Sequence, residues 1–355
     1  GNPCEFYSRF TDAMDKYYLT SRGSFEQFLV SRLTESTIYA PFRRLNVLDY
    51  ERVNEENVKN IALHEPLPAT PLKTFFLPIR KNVTLDVNGS LPAIILGVPA
   101  CDLAALDLLD AVYLDPAFPD DLYRKQREQT ILIGTDCHSH LKHCHCTIYN
   151  INPFPERNCD LVLSGYQSDV FIRILSDKGQ KLLNDMRSRI PVQEAKAGDL
   201  ETVKLKRMAV RDDITRQNQG LPDLKHTSTL LKQSEYWLWK KYASTCVGCG
   251  ACAAICPTCT CFLLLDRPEF EKVRQLDTCQ YPDFQRVAAG EDPLSPLTVR
   301  FRNRYLCKYV WRPERYKVSA CTGCGRCIDA CPGNISKNEL LTELNTGEVK
   351  ISQHA

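Results

Sequence analysis

The sequence predicts an α/β domain over residues 1–226 followed by an α-helical domain over residues 227–355. Three observations carry that expectation. Residues 93–98 and 130–134 are short continuous apolar runs, the pattern of parallel strands buried on both faces. One cysteine spacing occurs twice in the C-terminal third, each time followed by proline. Residues 257–320 separate the two copies, a far longer join than a minimal bacterial ferredoxin uses. An insert of that length suggests the α-helical ferredoxin arrangement, with helices packed around a pair of clusters.

The elements follow in chain order. Between the two apolar runs, Leu103, Leu106, Leu109, Ala111 and Tyr113 fit a helix, with Asp102 as its cap. Asp160 to Leu163 and Val170 to Leu175 read as two more strands, the second alternating like a half-exposed one. Residues 177–188 suggest a helix carrying Leu182, Leu183 and Met186. The stretch 191–226 is polar and charged and reads as the connection between domains. Arg300, Arg302, Arg304, Lys308, Arg312, Arg315 and Lys317 crowd the segment before the second cysteine run. With Phe301 and Tyr305 between them, the first of these fit an edge strand as well as a helix. Cations there could raise the potential of an anionic centre, dock an acidic partner, or form a solvated basic face.

Cys246, Cys249, Cys252 and Cys256 before Pro257 form C-x2-C-x2-C-x3-C-P, and Cys321, Cys324, Cys327 and Cys331 before Pro332 repeat it. Three thiolates so spaced wrap one cubane [4Fe-4S] cluster, and the fourth reaches across to the other. One cluster is therefore assigned to Cys246, Cys249, Cys252 and Cys331, and the second to Cys321, Cys324, Cys327 and Cys256. Gly248, Gly250, Gly323 and Gly325 let backbone N–H groups approach the sulfurs. Two zinc sites or a disulfide framework would not call for the triple spacing followed by Cys-Pro.

Cys101, Cys137, Cys144 and Cys146 form another constellation. Cys101 follows one predicted strand and Cys137 lies just past another, and strand ends in an open α/β sheet lie side by side. These four thiols predict a third [4Fe-4S] cluster. The same stretch carries His138, His140, His143 and His145, so a zinc site of Cys and His is the competing reading, with unligated core thiols a further one. Cys4 and Cys159 read as ordinary thiols. Cys259, Cys261, Cys279 and Cys307 supply the number of ligands a fourth cluster would need, although buried cysteine is commonly inert.

The formal net charge of +2 makes no case for nucleic acid or an anionic membrane. No apolar stretch reaches the roughly 20 residues of a membrane span. The eighteen cysteines cluster at ligand spacings and no signal segment opens the chain, which predicts a reducing cytoplasm. There is no G-x-G-x-x-G fingerprint, phosphate-binding loop or nucleophile elbow.

Four stretches resemble a known family, the dicluster iron–sulfur subunits represented by those of anaerobic sulfite reductase and by the β subunit of cytoplasmic [NiFe] sulfhydrogenases. They are Gly97 to Asp110 with Ala-Cys-Asp, Ile131 to Cys146 ending in Cys-His-Cys, Cys246 to Cys261 with Cys-Pro-Thr-Cys-Thr-Cys, and Cys321 to Pro332. The resemblance implies an electron-transfer subunit, not itself catalytic. It would relay electrons between a flavoprotein linked to NAD(P)H or ferredoxin and the catalytic subunit of an anaerobic oxidoreductase of hydrogenase, sulfite reductase or heterodisulfide-reductase-linked type. The His-rich loop departs from the family, and Cys307 stands where it has a His before Lys308. A self-contained iron–sulfur reductase, with a substrate or flavin site in the first domain, is the reading from a different class.

Overall fold

The computed structural model describes residues 16–83, 92–166 and 168–347. Cys4 lies outside the described residues. The chain divides into two compact units. The first takes in most of the chain up to Asp213, and the second runs from Ile214 onward and includes residues 78–84 and 142–150. The expected boundary at 226/227 therefore moves upstream, and two short segments of the N-terminal half count with the second unit. Long-range backbone pairing, which leaves no mark in local sequence, accounts for the first of them.

The first unit is built on strands β1 (Tyr17–Ser21), β2 (Thr37–Arg44) and β3 (Val47–Arg52). Strand β4 (Arg80–Asn82) belongs elsewhere, and β5 (Ala93–Pro99), β6 (Ile131–Thr135), β7 (Leu161–Tyr166), β8 (Asp169–Ile174) and β9 (Gln193–Glu194) complete the set. They form one sheet in the order β3-β2-β5-β6-β7-β8-β1-β9. The pairs β2–β5, β5–β6 and β6–β7 are parallel. The outer pairs are antiparallel. The two continuous apolar runs are thus central parallel strands, as their composition demands. Gly97, at φ 75°, sits where the β5–β6 register shifts, a bulge that a side chain would crowd against Pro41.

Helices cover both faces. Helices α1 (Arg22–Arg32), α2 (Lys73–Phe76), α3 (Ala100–Tyr113), α4 (Asp121–Gln129) and α5 (Asp177–Arg189) lie between strands. Phe25, Phe28, Leu182, Leu183 and Met186 share a core cluster with Ile94, Leu96 and Ile133. Successive strand residues point to opposite faces. Gly134 accordingly faces the other layer, where Leu103 of α3 closes on it.

Three local expectations change. Asp102 does not cap α3; it is buried, and its carboxylate accepts the Leu72 N–H at 3.1 Å. Strand β8 is buried at four consecutive positions rather than half-exposed, since it lies between β7 and β1 inside the sheet. The polar stretch 191–226 is no linker. It holds the long helix α6 (Ala197–Gln217) and the start of the next helix. The many charged residues of α6 mask its anchors: Val203 packs with Tyr17 and Phe171, and Arg207 is bidentate to buried Asp136 at 2.7 and 3.1 Å.

The second unit holds α7 (Leu224–Gln233), α8 (Tyr236–Ala243), α9 (Ala251–Ala254), α10 (Leu297–Leu306), α11 (Arg312–Tyr316), α12 (Arg326–Asp329) and α13 (Lys337–Thr346). A π-helical turn, Cys307–Trp311, joins α10 to α11. The unit is not wholly helical, because β10 (Phe262–Asp266) and β11 (Lys272–Leu276) form a hairpin that β4 extends. Trp239, Phe301, Tyr305, Tyr309 and Tyr149 make a chain of ring contacts through its core. Arg300 to Tyr305 are helical, which settles the strand-or-helix alternative.

Among the described residues no helix is long and apolar enough to cross a membrane. One buried carboxylate ties the first unit's sheet to its helices. Asp160 accepts the Leu132 N–H at 2.9 Å and the Ser176 hydroxyl at 2.5 Å, while Ser176 caps α5. Asp160→Ala should lower the unfolding free energy by ~2–4 kcal/mol, read by urea titration, because it strands a buried N–H and a hydroxyl.

Candidate iron–sulfur centres

The first cysteine run opens at the end of α8 and closes at Pro257. Cys246, Cys249 and Cys252 line one cavity together with Cys331, the last cysteine of the second run. Cys327, Gln280, Arg304, Tyr305 and Lys337 are among the other residues that line it. Cys256, the last cysteine of the first run, sits instead beside the start of the second. Its Sγ accepts from Lys308 Nζ at 3.0 Å, and the same ammonium donates to Thr258 Oγ1 at 2.8 Å and to the Ala320 carbonyl at 2.9 Å. Thr258 Oγ1 in turn donates to the Ala320 carbonyl at 2.7 Å. The fourth cysteine of each run thus keeps company with the other run.

Gly323 and Gly325, both at positive φ, shape the second run. A Cβ on Gly323 would lie 2.5 Å from the Cys146 backbone, and one on Gly325 would lie 2.7 Å from the His143 carbonyl. Glycine there lets residues 142–150 lie directly on the run, where the His145 N–H donates to the Gly323 carbonyl at 2.8 Å. Cys144 and Cys146 are therefore second-unit residues, and the Cys144 carbonyl accepts from Gln217 and Asn218.

Cys101 and Cys137 belong to the first unit. The β5–β6 register pairs Pro99 with Thr135, so each cysteine stands two residues beyond that pair, at the carboxyl ends of neighbouring parallel strands. The Cys137 N–H donates to the Pro153 carbonyl at 2.9 Å. Cys159 is fully buried, and burial pushes its thiol up to about 12, as for an inert core thiol.

The histidines are engaged in ways that do not suit a metal site. His145 is wholly buried, and its Nε2 lies 2.7 Å from Lys337 Nζ. An ammonium can only donate, so Nε2 accepts and Nδ1 carries the proton, which it donates to the His143 carbonyl at 2.7 Å. Burial and the Lys337 charge hold this imidazole neutral, well below its ordinary range. His143 Nε2 lies 3.6 Å from Asp329. In the first unit His138 stacks on His64 at 4.2 Å, and His64 Nδ1 meets Thr135 Oγ1 at 2.7 Å. Among the described residues no three His, Cys, Asp or Glu side chains converge on a single-ion site. A cubane instead spreads its thiolates over four irons.

What sequence reading left unplaced is the row of cations. Arg300, Arg304, Lys308 and Arg312 recur every fourth residue along α10, the π turn and α11, and the first three are buried. The solvated-face reading holds only for Arg315 and Lys317. Arg300 Nε donates to the Gln280 carbonyl at 3.1 Å, Arg304 Nη2 to the Cys252 carbonyl at 3.0 Å, and Arg312 Nη1 to the Thr258 carbonyl at 2.5 Å. Burial disfavours the charge on Lys308, yet Cys256, Cys259 and Cys321 outweigh it and hold the ammonium above its usual range. Burial likewise opposes ionisation of Cys321, but Lys337 and Lys308 leave its thiol below the ordinary value. The four-residue spacing is the available signal, legible once the segment is taken as a helix.

The doubled cysteine spacing, with glycine turns and a buried cationic wall, fits a pair of [4Fe-4S] clusters. The fold and site define an iron–sulfur protein, and residues 245–335 match the family described as a 4Fe-4S dicluster domain. The whole chain is similar to sulfhydrogenase 2 subunit beta of Pyrococcus furiosus, 29% identical over 331 residues, covering 89% of this chain and 95% of that protein. The relative bears out the family resemblance over most of the chain, and the family model covers the two C-terminal stretches that carry it.

His64 supplies a test of the first unit. Burial and the neighbouring His138 lower its pKa to about 3, against about 6.5 unfolded. Below pH 6.5 the unfolded chain takes a proton that the folded one refuses, so stability falls as pH drops. Between pH 6.5 and 5 the protein should lose ~2 kcal/mol more than its His64→Gln variant in urea unfolding.

Proposed function

We propose that this chain is the iron–sulfur electron-transfer subunit of a multisubunit oxidoreductase of hydrogenase type. It relays electrons between a flavoprotein linked to NAD(P)H or ferredoxin and the subunit that performs the terminal reaction. The observation that carries this is that Cys331 lines the cavity of Cys246, Cys249 and Cys252, while Lys308 joins Cys256 to the Ala320 carbonyl. Cys246, Cys249, Cys252 and Cys331 would hold one [4Fe-4S] cluster in an α-helical ferredoxin-type arrangement; Cys321, Cys324, Cys327 and Cys256 would hold the other. Bound there, the clusters supply one-electron transfer with every iron capped by a thiolate, which leaves no coordination position for a substrate.

Around them the chain's own residues do three things. Lys308 and Arg304 set cations against the sulfurs and so favour the added negative charge of the reduced state. The aromatic core from Trp239 to Tyr309 keeps water out. Glycine turns bring backbone N–H groups to the sulfurs. A third cluster on Cys101, Cys137, Cys144 and Cys146 is part of the same reading and rests on the order of these cysteines in the sequence. A relay of this kind would work in the reducing cytoplasm.

The crossing predicts that Cys256→Ser alters the electron paramagnetic resonance signal of the cluster on Cys321, Cys324 and Cys327. Cys331→Ser should alter the other; loss confined to each variant's own run would refute the assignment. Cys101→Ala should remove about four iron and four sulfide per anaerobically purified chain. It should also slow transfer from reduced nicotinamide to the terminal acceptor of the native complex. Artificial-dye activity of the separate catalytic subunit should stay intact. The relay reading falls if the isolated chain turns over hydrogen, sulfite or NAD(P)H as fast as the complex does.

A further inference from the structure

Four thiols of the second unit are left over once the two ferredoxin-type ligand sets are filled. In the sequence they are scattered at Cys259, Cys261, Cys279 and Cys307. The hairpin gathers three of them. Strands β10 and β11 pair from Phe262 with Leu276 outward, so Cys261 and the segment after Leu276 emerge side by side. The Asp277 N–H closes that end on the Cys261 carbonyl at 2.9 Å. Cys261 and Cys279 then share a side-chain hydrogen bond, with Cys259 beside Cys261. Cys307 arrives from the helix, as the first residue of the π turn. Such turns bond residue i to i+5, which sets Cys307 on the side of Arg312. Arg312 faces Cys307, Cys259 and Cys261 together.

A second observation is the buried positive charge beside Cys259. Arg304 and Lys308 are at most 5% exposed, and their anionic neighbours are thiols rather than carboxylates. Arg304 Nε is buried without any hydrogen-bond partner, and Cys259 is among the thiols facing that guanidinium. Unpaired buried cations are costly, of order several kcal/mol each. The ferredoxin-type ligands Cys252, Cys327, Cys256 and Cys321 meet part of this demand, and Cys259 is the further thiol that both cations face.

We infer that Cys259, Cys261, Cys279 and Cys307 hold a further [4Fe-4S] cluster, next to the one that Cys256 ligates. Each thiol gives its proton to solvent and forms one sulfur–iron bond, and the four thiolates make the oxidised cluster a dianion. Arg304, Lys308 and Arg312 supply the countercharge. Cys259 hydrogen-bonds to Cys256, so this site adjoins the second-run cluster and would add a stop to the relay. The inference rests on the proposed function for what the site does, and on the thiols alone for its existence.

The experiment is metal and sulfide analysis of the full chain, purified anaerobically, with Mössbauer and electron paramagnetic resonance spectra. Cys261→Ala and Cys279→Ala should each lose about four iron and four sulfide relative to the unaltered protein. Signals of the two ferredoxin-type clusters should persist. Cys307→His should keep the full iron content with an altered spectrum, since imidazole can replace a thiolate at iron, whereas Cys307→Ala should lose it. Because the Cys307 variants change a helix surface and leave the hairpin untouched, they decide the matter even if the hairpin variants do not fold. Unchanged iron in Cys307→Ala and the hairpin variants, or zinc in place of the missing iron, would overturn the site. Failure of the two-cluster reading would show separately, as Cys246→Ala and Cys324→Ala with undiminished iron.

Discussion

Burying positive charge along one helix sets the terms for the second unit. Taking a guanidinium or ammonium out of water costs several kcal/mol unless an anion or several acceptors replace the lost hydration. Arg300, Arg304 and Lys308 do this in a single row that half-buried Arg312 continues. Carbonyls of Gln280, Cys252, Ala320 and Thr258 meet part of the demand. The remainder falls to sulfur. The cysteine runs, the hairpin and the loop around Gln280 can be seen as the partners that one helix requires. Thiols are suited to this only when ionised, and iron is what ionises them near neutral pH.

The first unit solves a different problem. Its central parallel strands are apolar on both faces and need a helix layer on each side, which α1, α5 and α3 provide. Several of its polar groups have defined partners: Asp160 at a strand start, Asp136 with Arg207, and His64 between Thr135 and the stacked ring of His138. Cys101 and Cys137 stand beyond the carboxyl ends of β5 and β6, where open α/β sheets present reactive groups. Of the histidines that invite a zinc reading, His138 is engaged by ring stacking and His145 by a carbonyl and an ammonium.

Much of this is legible in the chain alone. The parallel strands, the helix at 177–188 and the cysteine runs follow from periodicity, composition and spacing, all local properties. Where local pattern and structure part, the cause is shared. Asp102 stands where a cap would, because caps are local, whereas its partner is thirty residues away. The stretch 191–226 has the composition of a linker because its charges outnumber its anchors, and Arg207 is itself an anchor. The cations from Arg300 to Arg312 suggest a solvent-facing row because a lysine or arginine usually faces solvent.

The sequence by itself determined the ligand chemistry, since a doubled C-x2-C-x2-C-x3-C-P spacing answers to the shape of a cubane whatever surrounds it. It also determined the sheet's parallel centre through continuous apolar runs. The spacing also assigned the last cysteine of each run to the other run, and only the tertiary structure decided what surrounds the thiols. Cys331 joins the first run's cavity, Lys308 reaches Cys256, and the β10–β11 hairpin carries Cys261 to Cys279. Those contacts join residues that are not neighbours in the chain and arise from strand register, glycine turns and a π-helical step. Such features take their form from packing, because each is stable only with the rest of the unit around it.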